Sequence, residues 1–147
     1  MSLVTIRIVN ASPQYLILRR ATDYLRDQWC QIAGAVEPHE TAWQAALREL
    51  REETGLAPLS LYSADRFEQF YRADWDALIL VPLFAAFVAP TSAVCLNPEH
   101  SDYRWCARDE ALSLLELYNQ RTNILHVHAE FIERTPNELL RIRTGTA

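Results

Sequence analysis

Glu49, Glu52 and Glu53 stand three and four residues apart, and on an α-helix that spacing puts their carboxylates on one face, within reach of a shared cation. Like charges so placed repel by about a few tenths of a kcal/mol per pair. The cluster is therefore locally unfavourable unless a metal or neighbouring cations compensate it. Hard carboxylate oxygens suit Mg²⁺, with Mn²⁺ as the alternative, ions that keep several waters and also bind substrate phosphates. In most proteins a glutamate-rich helix is a solvated face. Its surroundings decide between the two readings here.

The helix that must carry these groups is readable from its period and its caps. Over residues 41–54, Ala42, Ala45, Ala46 and Leu50 recur at helical spacing. Thr41 with Gln44 forms a capping-box pattern, and Gly55 is a natural stop. Upstream, residues 4–9 and 15–18 read as a hairpin joined by Asn10, Ala11, Ser12 and Pro13; a polar stretch over 19–27 then leads to a short strand over 29–32 that stops at Gly34. Downstream, residues 59–71 have β character, and the apolar run 77–89 is expected of a strand covered on both faces, with Pro82 marking a bulge or an edge. Residues 91–102 read as a loop and 103–106 as a short strand. One helix begins at Asp109 and carries Leu112, Leu115 and Leu117; another covers 119–134 and stops before Pro136. Interleaving of this kind predicts a mixed sheet covered by helices, an α/β or α+β layer architecture with the strand order left open.

Composition narrows the chemistry. At 147 residues, half of them apolar, the chain can bury one sizeable core without disulfides or a structural metal, and one domain over 1–147 is expected. All 14 basic residues are arginine. A P-loop or a Schiff-base enzyme would lack its lysine, so phosphate chemistry here rests on arginine, backbone amides and metal. The net charge of −5 argues against a nucleic-acid backbone as partner. Cys30, Cys95 and Cys106 are far apart and outside any metal-binding or disulfide pattern, and read as small, mostly buried residues. The longest apolar run is too short for a membrane span and no basic segment leads into an apolar block, so a cytoplasmic enzyme is expected. His126 and His128, two apart on a helix, point to different faces and read as ordinary packing or surface residues, and Trp43, Trp75 and Trp105 read as core or interface residues. Arg141 and Arg143 read as a charged tail.

Around the glutamates the spacing is specific. Gly34 is followed after five residues by Glu40, after seven more by Arg48 and Glu49, and then by Leu50, Glu52, Glu53, Gly55 and Leu56. A chance match to such a pattern in a chain this long has a probability on the order of 10⁻⁷. The pattern resembles the signature of the Nudix hydrolase superfamily, Gly-x5-Glu-x7-Arg-Glu-U-x-Glu-Glu-x-Gly-U with U a bulky aliphatic, and every position is filled. The resemblance implies an α/β fold, an α/β/α sandwich with a mixed β-sheet in which the motif forms a loop-helix-loop. It implies a hydrolase of a nucleoside diphosphate linked to a further group, with small nucleotides as ligands and homodimerisation as a plausible assembly.

By the same resemblance Gly34 brings its backbone to the metal, Arg48 orients the carboxylates, Glu49 and Glu53 are ligands, and Glu52 is a further ligand or activates water. Glu40 and Ala33 belong to the substrate-facing loop. Beyond the motif, Trp29, Arg19, Arg20 and the run Glu99-His100-Ser101-Asp102-Tyr103-Arg104-Trp105, followed by Asn119-Gln120-Arg121, are similar to the dihydroneopterin triphosphate pyrophosphatase or dATP pyrophosphohydrolase branch. In that branch the counterpart of Glu99 reaches the metal site from a distant loop, and that of Arg19 contacts substrate; Arg20 and Trp29 are counted with the substrate contacts. Ala33 stands where relatives carry glycine or a hydroxyl residue, and His39 where glycine is frequent. The reaction expected is attack of water on phosphorus, a carboxylate (Glu52 or Glu99) taking the proton. The alternatives are a catalytically silent nucleotide-sensing module of the same fold, and a hydrolase of dinucleoside polyphosphates or nucleotide sugars.

Overall fold

The computed structural model describes residues 1–23 and 25–143. Tyr24, in the polar stretch, and residues 144–147 of the expected domain lie outside the described residues. The chain opens with β1 (Ser2–Val9) and β2 (Ser12–Arg20), antiparallel and joined at Asn10 and Ala11. Both turn residues have positive φ, 49° and 61°, which matches the twist of the flanking strands. Ser12 and Pro13, expected in the turn, instead pair with Val9 and Ile8.

The rest of the sheet is β3 (Trp29–Cys30), β4 (Ile32–Ala33), β5 (Pro58–Arg72), β6 (Ala77–Val88), β7 (His100–Cys106) and β8 (Arg141–Ile142). Its order is β3-β2-β1-β6-β5-β8, with β4 on β1 and β7 on β2. Only the β1–β6 pair is parallel among these ladders, so the sheet is mixed. Three α-helices among the described residues cover it: α1 (Ala42–Thr54), α2 (Arg108–Leu114) and α3 (Tyr118–Phe131).

Alternation along the central strands builds two cores. Leu3, Leu16, Leu18, Phe84 and Ala86 pack with Ala45, Ala46 and Leu50 of α1. Val4, Ile6, Tyr15, Ile17, Leu83 and Ala85 point the other way and pack with Ala111, Ile124, Val127 and Phe131 of α2 and α3. Helices on both faces of one mixed sheet make the expected α/β/α sandwich.

Several local expectations are revised. The single strand expected over 29–32 is broken at Gln31, because β1 and β2 pair only between Ile6/Tyr15 and Val9/Ser12 and the segment pairs first with β2, then with β1. Strand β7 starts at His100, inside the expected loop, because Arg19 and Arg20 supply partners there. The run expected to be covered on both faces is so covered only from Leu83 onward. Leu78 and Leu80 are 81% and 66% exposed on a projecting β5–β6 hairpin. Pro82 does mark a bulge, opposite the register shift between Ser63 and Phe67.

Helix α2 begins at Arg108 behind Ala107, and α3 ends at Phe131, short of Arg134; Leu115 and Leu117 cap these helices instead of extending one. Arg141, expected in a tail, pairs with Tyr62 in β8. Cys95 is exposed, whereas Cys30 and Cys106 are buried and burial pushes their thiols up to about 11. The two helix histidines pack as expected: His126 Nε2 donates to the Ala64 carbonyl at 2.6 Å, and His128 Nδ1 shares a 2.6 Å hydrogen bond with the buried Tyr15 hydroxyl. Among the described residues no helix is long and apolar enough to cross a membrane.

Candidate active site

Helix α1 is held at both ends by its own sequence. Thr41 and Gln44 form the reciprocal capping box, and Gly55, at φ 69°, closes the helix in the left-handed region while its N–H donates to Arg51 O. Beyond the helix end, Cys95 N donates to Thr54 O at 2.8 Å and Asn97 N to Glu53 O at 3.3 Å. These bonds bring the loop before β7 against α1. Asn97 Oδ1 then accepts from Glu99 N at 3.1 Å and Ala21 N donates to Glu99 O at 2.7 Å, which fixes Glu99 beside the helix.

The glutamates around this helix lie in different environments. Arg48 NH1 donates to Glu49 Oε1 at 2.9 Å and Glu52 Oε2 at 3.1 Å, while NH2 donates to Glu40 Oε1 at 2.8 Å and to Ala35 O at 3.0 Å. One guanidinium thus compensates three carboxylates of the motif and ties the loop before α1 to the helix. It holds the Glu40 carboxyl below the usual carboxylate range, chiefly through their hydrogen bond. Burial instead raises the Glu49 carboxyl, and the nearby Glu53 and Glu52 charges add to that against the pull of Arg48.

Glu53 is 2% exposed, and His100 Nε2 donates to its Oε2 at 3.0 Å. His100 Nδ1 is buried with no hydrogen-bond partner among the described residues. One ligand atom each from Glu53, Glu99 and His100 lies within 4.8 Å of the others. A side-chain set dominated by carboxylate oxygen fits a hard divalent cation. Gly34 lies against this cluster: a Cβ there would fall on Glu49 Oε1, so glycine is what allows the loop backbone to pass. His39 adopts φ 74°, the conformation for which glycine is the usual residue at that loop position.

Beside the cluster opens a cavity of about 790 Å³ whose lining includes Arg20, Ala33, Gly34, Ala35, Phe70, Arg72 and Tyr118. Arg20 NH2 stands 3.6 Å from Glu99 Oε2 and donates to Thr22 Oγ1 at 3.0 Å. Of the residues singled out from sequence, Gly34, Arg48, Glu49, Glu52, Glu53 and Glu99 are brought together, and Arg20 and Ala33 line the cavity. Arg19, Trp29 and Glu40 lie outside that lining. Arg19 pairs with Asp27 at 3.1 Å, Trp29 packs against the core with Arg104 over its ring at 5.1 Å, and Glu40 spends both oxygens on Arg48. The sequence reading assigned no role to His100. Its adjacency to Glu99 was the available signal, but only the β2–β7 pairing turns it inward.

The architecture and the motif have counterparts. The NUDIX domain model matches residues 1–132. The asymmetrical bis(5'-nucleosyl)-tetraphosphatase of Mus musculus is 30% identical over 129 residues, 86% of each chain. The nucleoside triphosphatase NudI of Salmonella typhimurium is 29% identical over 97 residues, covering 61% of this chain and 68% of that protein. Among solved structures, a C. elegans Ap4A hydrolase binary complex shares the fold with a TM-score of 0.73 at 24% identity, over 87% of this chain and 93% of that one. With the domain model running through nearly the whole chain and Glu49, Glu52 and Glu53 of the motif carried on α1, the protein belongs to the NUDIX family and is a Nudix hydrolase.

Proposed function

We propose that the chain is a Mg²⁺-dependent pyrophosphohydrolase that takes a nucleoside triphosphate, or a related nucleoside diphosphate linked to a further group, and catalyses attack of water on phosphorus. A triphosphate gives the monophosphate and pyrophosphate. The observation that carries this reading is the meeting of Glu53, from α1, with Glu99 and His100 beside a cavity large enough for a nucleotide.

Glu49, Glu53 and Glu99, with Glu52, would hold the divalent cation, Mn²⁺ being the alternative ion. When bound, the cation supplies neutralising charge to the polyphosphate and acidifies water. His100 keeps Glu53 oriented in its buried position. Arg48 holds Glu49 and Glu52 toward one another and, through Glu40, fixes the preceding loop. Arg20 offers a cation to the phosphates from the cavity lining. Glu52, the most solvent-exposed of the α1 carboxylates at 56%, or Glu99 takes the proton of the attacking water.

Incubation with Mg²⁺ and a nucleotide panel tests this directly. Glu53→Gln is expected to lower kcat by roughly two orders of magnitude or more while leaving the fold intact. Undiminished turnover in that variant, or turnover that ignores chelation, defeats the reading. Likeness to the mouse tetraphosphatase favours a second reading, hydrolysis of dinucleoside polyphosphates. Product analysis separates the two: a dinucleoside tetraphosphate consumed much faster than a mononucleoside triphosphate selects the second.

A further inference from the structure

Past the body of the sheet, β5 and β6 continue as a two-stranded arm with no third strand among the described residues. Six residue pairs, from Phe67 with Pro82 to Arg72 with Ala77, hold it together, whereas β1 joins β6 only from Leu83 onward and β8 joins β5 only at Leu61 and Tyr62. A lone pair of strands is marginal in water and becomes stable once another layer covers an apolar face. One face of the arm is already engaged, because Glu68, Phe70, Arg72 and Val81 line the cavity. The side chains that alternate with them point the other way. There Phe67, Gln69 and Tyr71 stand opposite Pro82, Leu80 and Leu78, and the apolar groups form one contiguous stripe with no charged residue in it. Phe67 is 61% exposed, Tyr71 59%, Leu78 81% and Leu80 66%. At the tip of the arm the Tyr71 hydroxyl is satisfied, donating to Asp76 at 2.8 Å.

We propose that this stripe is covered by the same stripe of a second copy of the chain, in an isologous homodimer. Charge favours a copy over a lipid surface. A face without charge meets itself with no like-charge repulsion, whereas a chain of net charge −5 is repelled by an anionic membrane. Area agrees as well. At these exposures the four large side chains leave bare roughly 500 Å² per copy, in the upper range of the largest apolar patch on a monomer. Two copies together bury about 1,000 Å², the size at which a specific interface begins, so a dissociation constant on the order of micromolar is expected. The surface used is the reverse of the cavity wall, and the pairing does not depend on what the cavity binds.

Sedimentation velocity on the full chain at about 1 and about 100 µM tests this. The wild type is expected to shift from monomer toward dimer over that range, and amide exchange at residues 67–72 and 77–82 to slow with it. Leu78→Asp and Leu80→Asp each put a charge into the stripe at a position exposed in the single chain. Each is expected to weaken the dimer at least about 10-fold while leaving the far-UV circular dichroism unchanged. Leu139→Asp, more exposed still but outside the arm, should leave the dimer as it is. A wild type that stays monomeric at the higher concentration overturns the inference, as does a dimer that survives both arm substitutions or dissociates with Leu139→Asp. A monomer that instead attaches to neutral phosphatidylcholine vesicles through the arm overturns it in favour of a lipid surface. If the arm variants do not fold, exchange in the wild type decides alone: slowing confined to the arm supports the dimer, and slowing elsewhere overturns it.

Discussion

Arg48 explains how Glu49 and Glu52 share a helix surface that their like charges would resist, and how Glu40 joins them from the preceding loop. Its planar fork reaches Glu40, Glu49 and Glu52 at 2.8, 2.9 and 3.1 Å, a geometry an ammonium on a flexible stem does not reproduce. In metal-free buffer Arg48→Gln is expected to lower Tm by several degrees, and Arg48→Lys to recover only part of the loss. Because the Glu40 carboxyl is held below its ordinary range, its stabilising contribution is present above that range and disappears as the pH falls through the depressed value. The gap between wild type and Arg48→Gln should therefore close in acid. Superimposable melts of the two proteins at neutral pH would show that the guanidinium does not stabilise the cluster.

At the scale of the element, α1 is a delivery device with two ends of different consequence. Thr41→Ala removes the N-cap side chain and is expected to cost about 1 kcal/mol of stability. Gly55→Ala places a Cβ at φ 69°, with Cys95 Cβ 3.4 Å away, and is expected to cost about 1 kcal/mol as well. The C-terminal end alone abuts the loop that carries Glu99, through Cys95 N to Thr54 O and Asn97 N to Glu53 O. Urea titrations paired with kcat should thus show similar losses of stability but a drop in kcat only for Gly55→Ala. A matching kcat drop in Thr41→Ala would mean that the loop is not positioned in this way.

For the whole molecule, the layer of α2 and α3 is as necessary to the site as the layer that bears the glutamates. Asn123, on α3, reaches through to Glu68, and Ile124 beside it is 1% exposed in the core under the sheet. Ile124→Ala is expected to cost about 2–5 kcal/mol with the urea m-value unchanged, since the loss is a cavity in an otherwise intact core. A midpoint that does not move would show this layer to be loosely packed cover.

What local chemistry specifies could be read without coordinates. The period and caps of α1, the motif on it, the opening hairpin and the packing roles of His126 and His128 all depend on residues a few positions apart. The family followed from that one local pattern, and the layer class from the interleaving of strand and helix segments. The narrower branch resemblance leaned on the segment around Glu99 and stays an expectation; the two curated relatives described above are a tetraphosphatase and a triphosphatase. The break at Gln31, the early start of β7, the exposed arm of β6 and the strand at Arg141 were not legible, because each is set by which distant strand supplies hydrogen bonds. The same holds for the pairs that finish the site: Glu53 with His100 spans 47 positions, and Glu68 with Asn123 spans 55. Backbone propensity and side-chain period act over a turn or two, so the sequence alone determined the motif helix and its charges. Burial and long-range pairing exist only once the sheet is assembled, so the tertiary structure alone decided which carboxylate is sequestered by a histidine and what the cavity wall offers a ligand.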